Sequence, residues 1–160
     1  MGLHLLLLAW LAAGTPDGPV TADRVVVAKA DRTLTLYRGA SALRTYKIAL
    51  GWNPEGHKGE EGDGRTPEGV YVIDARNAQS AFHRSLHISY PNADDRRRAG
   101  RRGVRPGGAI MIHGLPNGLG LLGKTHTLRD WTAGCIAVTD EEIEEIWRMV
   151  PNGTKIEIKP

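Results

Sequence analysis

Trp131-Thr132-Ala133-Gly134-Cys135-Ile136-Ala137-Val138, together with the segment that follows, decides the fold of this chain. Apolar residues alternate after Cys135, which predicts a short strand, and Gly134 allows close approach of another backbone segment. Thr139 then begins the clearest helix, because Thr139 and Glu142 are spaced as a capping box. That helix carries one apolar stripe, which predicts packing against a sheet and consists of Ile143, Ile146, Trp147 and Val150.

Short runs of β-branched and apolar residues predict the remaining strands. Many of these runs alternate apolar and polar residues, and turn residues separate them. The predicted strands are residues 24–30, 33–37, 43–50, 70–74, 85–90, 109–113, 134–138 and 154–158. We therefore predict a mainly β fold with β-sandwich-like mixed sheets and one packed C-terminal helix.

Length and composition fit one exported domain. The chain has 160 residues, a formal net charge of +3 and a pI near 9.2, which suits an anionic partner without requiring one. Residues 1–14 are predicted to be a signal peptide, because the apolar run Leu3–Ala13 is too short to span a bilayer and Ala12-Ala13-Gly14 offers small residues for cleavage. An uncleaved anchor or a misassigned start is the alternative. Residues 15–23 read as a linker and residues 24–159 as the folded domain.

Cys135 and His113 are the candidate catalytic pair. Cys135 is the only cysteine, and His113 ends the apolar run 109–113. A thiol next to an imidazole can form an activated sulfur nucleophile. Backbone N–H groups near Gly134 and Cys135 could stabilise an oxyanion. Since no acidic residue is an obvious third member, a backbone carbonyl beside His113 could orient the ring. The residues alone leave a buried structural cysteine and a core histidine equally open.

The other candidate groups allow more than one interpretation. The arginine-rich run 94–105, which ends at Arg105, is either a solvated helical turn and loop or a cationic rim for substrate carboxylates. Nucleic acid is not favoured, because no aromatic residues interleave with the arginines. His126 lies in a Gly- and Leu-rich flap, residues 115–128, as a solvated residue or a substrate contact. Trp131 could pack or line a pocket. No metal-ligand spacing and no cofactor motif is present.

Three motifs together resemble the L,D-transpeptidase catalytic domain family (YkuD-like; ErfK/YbiS/YcfS/YnhG group). They are Arg65-Thr66-Pro67-Glu68-Gly69, Ile112-His113-Gly114 and Thr132-Ala133-Gly134-Cys135. The resemblance covers about residues 24–159. It implies the β-sandwich fold with a short helix that this family has, in agreement with the strand pattern.

The resemblance also implies roles for individual residues. Cys135 matches the nucleophile and His113 the general base and acid, with the carbonyl of Gly114 orienting the ring. Thr132 matches the Ser/Thr of the motif, and Gly134 the glycine beside the oxyanion hole. The implied substrates are peptidoglycan stem peptides. The thiol would attack the carbonyl of the third residue, a diamino acid, and release D-alanine. An amine from a second stem would then resolve the thioester as a 3→3 cross-link.

Two departures leave the acyl acceptor open. Ala133 stands where the family usually has histidine, and Ala137 stands where it usually has arginine or asparagine. The alternatives are therefore a carboxypeptidase, endopeptidase or amidase of the same fold, which could act on a wall-linked protein, and a non-catalytic peptidoglycan-binding module. We expect an exported protein of the periplasm or cell-wall space, with membrane contact only through an uncleaved signal segment.

Overall fold

The computed structural model describes residues 18–160. The predicted signal peptide, residues 1–14, lies outside the described residues. At the end of the predicted linker, Ala22 is buried and its backbone N–H donates to the Met149 carbonyl at 2.7 Å. The chain is therefore already packed against the folded domain two residues before the first strand. None of the helices within residues 18–160 has the length and apolar character needed to cross a membrane.

Eight strands and two α-helices make up the described chain. The strands are β1 Arg24–Ala28, β2 Thr33–Arg38, β3 Ser41–Lys47, β4 Gly69–Ser80, β5 His83–Ile88, β6 Met111–His113, β7 Ile136–Ala137 and β8 Lys155–Lys159. The helices are α1 Ala93–Arg101 and α2 Asp140–Met149. A 3-10 helix, Gly120–Leu128, occupies the predicted flap and is kinked at Gly123.

The strands form one mixed sheet in the order β3-β2-β1-β8-β4-β5-β6-β7. Strand β4 is long enough to belong to both halves: its first residues pair with β8, and its later residues pair with β5. Register shifts along β4 accompany the change of partner. The predicted mainly β class is confirmed, and the predicted mixed sheets are the two halves of one curled sheet that share β4.

Helix α2 begins where the capping box predicted. The Thr139 hydroxyl accepts the Glu142 N–H at 3.2 Å, and the Glu142 carboxylate accepts the Thr139 N–H at 2.9 Å. Ile143 and Ile146 are fully buried in the core, as the apolar stripe requires. The cap and the buried stripe together fix the first turn of α2, which lies close to the candidate site.

Helix α1 is a second helix beyond the one packed helix predicted, and it lies where one interpretation of the arginine-rich run placed a solvated helical turn. It lies in the arginine-rich run, and its buried face is formed by Asp95 and Ala99. The Asn92 side chain caps it, and buried Asp95 accepts the Tyr71 hydroxyl at 2.9 Å. A buried face that contains a carboxylate does not produce an apolar stripe, so periodicity could not reveal it.

Asp63 holds the long loop 51–68 in place. Its carboxylate accepts the backbone N–H groups of Gly59, Glu60 and Arg65 and pairs with the Lys58 ammonium at 2.9 Å. Burial would raise the pKa of Asp63, but these hydrogen bonds and the ammonium lower it to about 2. The loop is thus organised around one ionised carboxylate.

Candidate active site

Strands β6 and β7 position His113 and Cys135. The two strands are parallel, with Ile112 beside Ile136 and His113 beside Ala137. Cys135 directly precedes β7, so continuing this register places it next to Met111, two residues before His113. Paired residues on neighbouring strands point to the same face of a sheet, and so do residues two apart along one strand. The thiol and the imidazole therefore emerge on one face, as diagonal neighbours.

The Cys135 thiol rests over the backbone that leads into β6. Its Sγ donates to the Ala109 carbonyl at 3.4 Å, and among the described residues no hydrogen bond joins Sγ to the His113 ring. Burial raises the pKa of the Cys135 thiol, while the Met111 backbone N–H and the Lys58 ammonium oppose that effect. At neutral pH the resting group is therefore a protonated thiol rather than a thiolate.

The His113 ring is held by the carbonyl of the next residue. Nδ1 lies 2.7 Å from the Gly114 carbonyl oxygen, and the residue is 3% exposed. Since a carbonyl oxygen only accepts, Nδ1 carries the proton and the Nε2 lone pair remains available as a base. Burial lowers the pKa of His113; the hydrogen bond to Gly114 opposes this, and nearby His126 lowers the pKa further. The ring is therefore neutral at pH 7.

Thr132 shapes the turn that presents the thiol. Its hydroxyl donates to the Cys135 carbonyl at 2.7 Å and accepts the Gly134 N–H at 3.1 Å. Because the Gly134 N–H is used within the turn, it is not free for a substrate oxygen. The Cys135 backbone N–H has no acceptor among the described residues, so it is the donor left for an oxyanion.

The motif Arg65–Gly69 lies behind this turn. A Cβ added to Gly134, whose φ is +139°, would lie 2.7 Å from the Arg65 carbonyl oxygen. The Thr66 hydroxyl accepts the Gly51 N–H at 3.1 Å, and a Cβ on Gly51 would lie 3.1 Å from the Gly134 Cα. The motif thus packs closely against the backbone of residues 132–135, called the cysteine turn. Gly134 and Gly51 must be glycine because their neighbours leave no room for a Cβ.

An aromatic wall surrounds the His113 ring. Phe82 lies 4.4 Å and Trp131 5.8 Å from it, measured between ring centroids. The Trp131 indole N–H donates to His126 Nδ1 at 3.4 Å, and His126 is 7% exposed. The sequence did not single out Phe82, because a lone aromatic before a strand gives no signal of what it contacts.

A cavity of about 370 Å³ adjoins this wall under the flap. Trp131 and His126 line it together with leucines of the flap, chiefly Leu115, Leu119, Leu122 and Leu128. Neither His113 nor Cys135 lines it, but its walls are mostly apolar and Trp131 joins it to the His113 ring, so it is a candidate cleft for part of a substrate. The predicted substrate contacts Trp131 and His126 are therefore brought together with His113.

The structure does not bring Arg105 into this group. Its side chain is 86% exposed and pairs with Glu61 at 2.6 Å. Ala133 is exposed beside the thiol, whereas Ala137 is fully buried and exchanges backbone hydrogen bonds with Ala49. An arginine or asparagine at position 137 would have to enter this packed region. Among residues 18–160, no cluster of three or more His, Cys, Asp or Glu side chains could hold a metal ion.

The chain belongs to the YkuD family, the L,D-transpeptidase catalytic domain, whose model matches residues 22–158. A curated relative is the Escherichia coli K12 protein named "Putative L,D-transpeptidase YafK", which is 29% identical over 132 residues. That match covers 79% of this chain and 46% of the relative. This chain therefore spans about half the length of the curated relatives it matches.

Solved structures show the same fold. The helical cell shape determining protein Pgp2 of Campylobacter jejuni (K307A mutant) matches with a TM-score of 0.66 and 24% identity, over 88% of this chain and 48% of that one. L,D-transpeptidase 1 of Mycobacterium tuberculosis matches with a TM-score of 0.52 and 14% identity, over 87% of this chain and 62% of that one. At these identities the likeness concerns the fold, and the predicted YkuD-like architecture is confirmed.

Proposed function

We propose that this protein is a cysteine-dependent L,D-transpeptidase that acts on peptidoglycan stem peptides through a thioester on Cys135. The observation that carries the proposal is the 2.7 Å hydrogen bond from His113 Nδ1 to the Gly114 carbonyl. It leaves Nε2 as the base on the sheet face where the register places Cys135. Family membership supports the same chemistry, and it implies an exported protein of the periplasm or cell-wall space.

The first half-reaction acylates the thiol. His113 Nε2 takes the Sγ proton as sulfur attacks the carbonyl carbon of the third stem residue, a diamino acid. The Cys135 N–H stabilises the oxyanion of the tetrahedral intermediate. When the C–N bond breaks, His113 returns its proton to the departing amine of D-alanine. The products are a thioester and a free amino acid.

The second half-reaction transfers the acyl group. An amine of a second stem peptide attacks the thioester carbon and gives its proton to His113 Nε2. The C–S bond then breaks and the sulfur leaves as thiolate, which recovers the proton. With an amine as acceptor the product is a 3→3 cross-link. With water as acceptor it is a trimmed stem peptide. Where the amine that leaves in the first half-reaction belongs to a wall-linked protein instead of D-alanine, that protein is detached and water then frees the thiol.

Covalent capture by a carbapenem tests the proposal directly. Because Cys135 is the only cysteine, one mass increment on the intact full-length protein reports acylation of this thiol. We expect the increment in the wild type and in His87→Ala, whose ring pairs with Asp74 on the sheet, and no increment in Cys135→Ala. A wild-type protein that binds sacculi without any adduct would instead be a non-catalytic module.

Muropeptide products distinguish the reaction types. The full-length protein is incubated with tetrapeptide muropeptides, and the products are separated and weighed. New cross-linked dimers with released D-alanine support the transpeptidase, whereas trimmed monomers alone replace it with the hydrolase. Full activity in Cys135→Ala would contradict both.

A further inference from the structure

One peptide unit is held from both ends beside the candidate base. The peptide between Gly114 and Leu115 has its carbonyl oxygen on His113 Nδ1 at 2.7 Å. Its N–H donates to the Asp140 carboxylate at 2.8 Å. In a trans peptide the C=O and N–H point in opposite directions. The imidazole and the carboxylate therefore lie on opposite sides of a single rigid, polarisable group.

The carboxylate is held close to this peptide by its surroundings. Asp140 is the first residue of α2, directly after the Thr139 cap, and its side chain is 23% exposed. A Cβ added to Gly114 would lie 2.7 Å from one Asp140 oxygen, and a Cβ added to Gly120 would lie 2.6 Å from the other. Both glycines thus leave the space that this carboxylate occupies, one beside the base and one in the flap.

We propose that Asp140 is a positioning residue for His113, acting through the Gly114–Leu115 peptide. Negative charge at the N–H end makes the carbonyl oxygen a stronger acceptor, since linked hydrogen bonds polarise one another. That holds the proton on Nδ1 and stabilises the imidazolium formed during catalysis. The arrangement has the logic of a Cys–His–Asp triad with a peptide group inserted between histidine and carboxylate. The catalytic part of this inference rests on the proposed function; the structural part does not.

Other titratable and aromatic side chains surround His113 and Asp140, and the experiment must separate their effects from that of Asp140. His126, in the flap, lowers the pKa of His113, and Cys135 directly precedes the neighbouring strand β7. His83 Nδ1 lies 3.9 Å from Asp140, and its Nε2 lies 2.9 Å from Glu144 one turn further along α2. Phe82 and Trp131 contribute apolar walls. Asp140 is thus the group whose charge reaches His113 through one shared peptide.

Nitrogen-15 NMR of the histidines in full-length protein tests the inference without substrate. The variants are Asp140→Asn, which keeps an acceptor and removes the charge, Asp140→Ala, which removes both, and Glu141→Gln. Glu141 is exposed in the same first turn, so its variant removes an equal charge as a matched control. We expect the pKa of His113 to fall by about half a unit or more in Asp140→Asn, and further in Asp140→Ala with a mixture of tautomers. Glu141→Gln should leave both unchanged.

Kinetics give a second readout. In Asp140→Ala we expect about a tenfold loss of kcat with KM nearly unchanged. We also expect the acid limb of the pH dependence of kcat to move to lower pH. If folded Asp140→Asn keeps the wild-type pKa of His113, the inference is wrong; where Asp140→Ala does not fold, Asp140→Asn decides. If the wild-type protein shows no turnover, only the proposed function is contradicted, because the NMR measurement does not require turnover.

Discussion

At Cys135 and His113, burial acts on both partners in the direction of neutrality. It raises the pKa of the thiol and lowers that of the imidazole. The Met111 N–H and the Lys58 ammonium only partly offset the first effect. The resting state is thus thiol and imidazole, and proton transfer belongs to the attack on the substrate rather than preceding it.

This protonation state predicts the pH dependence of alkylation by iodoacetamide. A thiol whose pKa lies above its usual value reacts about tenfold faster for each unit that the pH rises below that pKa. We expect this slope from pH 6 to pH 9, measured by the mass of the singly labelled protein. His113→Ala should keep the same slope, because a neutral ring does not hold a thiolate. A flat rate between pH 5 and 7 that His113→Ala abolishes would instead indicate a thiolate–imidazolium pair.

At the scale of the elements, hydrophobic periodicity and the capping box predicted the strands and α2 better than they predicted the contacts within the site. The alternating patterns placed β1, β2, β5 and β8 to within two residues, and the capping box placed α2. Strand β6 is shorter than predicted, since Ala109 has a φ of +53° and interrupts the run before Met111. Pattern indicates which face a residue occupies, but it does not name a partner 25 residues away, as Leu115 is for Asp140.

The cysteine turn predicts opposite effects for two glycine-to-alanine changes. In Gly134→Ala the new Cβ meets the Arg65 carbonyl oxygen at 2.7 Å and sits at a φ of +139°, so the turn must shift. We expect a loss of about 2 kcal/mol in the free energy of unfolding and a large loss of carbapenem acylation. Gly100→Ala, in α1 with no atom within 4 Å of its new Cβ, should gain about 0.5 kcal/mol. Denaturant unfolding of both variants checks this; equal effects would contradict the packing described for the turn.

At the scale of the whole molecule, the buried ammonium of Lys29 joins the sheet to the loop 51–68, and the site depends on both. Lys29, just after β1, is 2% exposed. Its ammonium donates to the Gly56 and Thr66 carbonyls at 2.7 and 2.9 Å and to the Glu68 carboxylate at 2.9 Å. Desolvation lowers the pKa of Lys29, and the hydrogen bond to Glu68 opposes the change. The sheet is thereby tied to the loop whose backbone supports the cysteine turn.

Removing this cation should therefore destabilise the protein and disturb the site together. In Lys29→Met, the buried Thr66 carbonyl and the partly buried Gly56 carbonyl and Glu68 carboxylate lose their partner, which predicts a loss of about 3 kcal/mol in the free energy of unfolding. Lys159→Met is the matched control, because the Lys159 ammonium is half exposed and its contact with Glu157 is long, at 3.8 Å. This variant should change the free energy of unfolding by no more than about 0.5 kcal/mol. Guanidinium unfolding at pH 7 measures both. Since Thr66 also holds the Gly51 N–H behind the turn, folded Lys29→Met should be acylated by the carbapenem more slowly than Lys159→Met. Equal acylation rates would show that the loop keeps its place beside Gly134 without the cation.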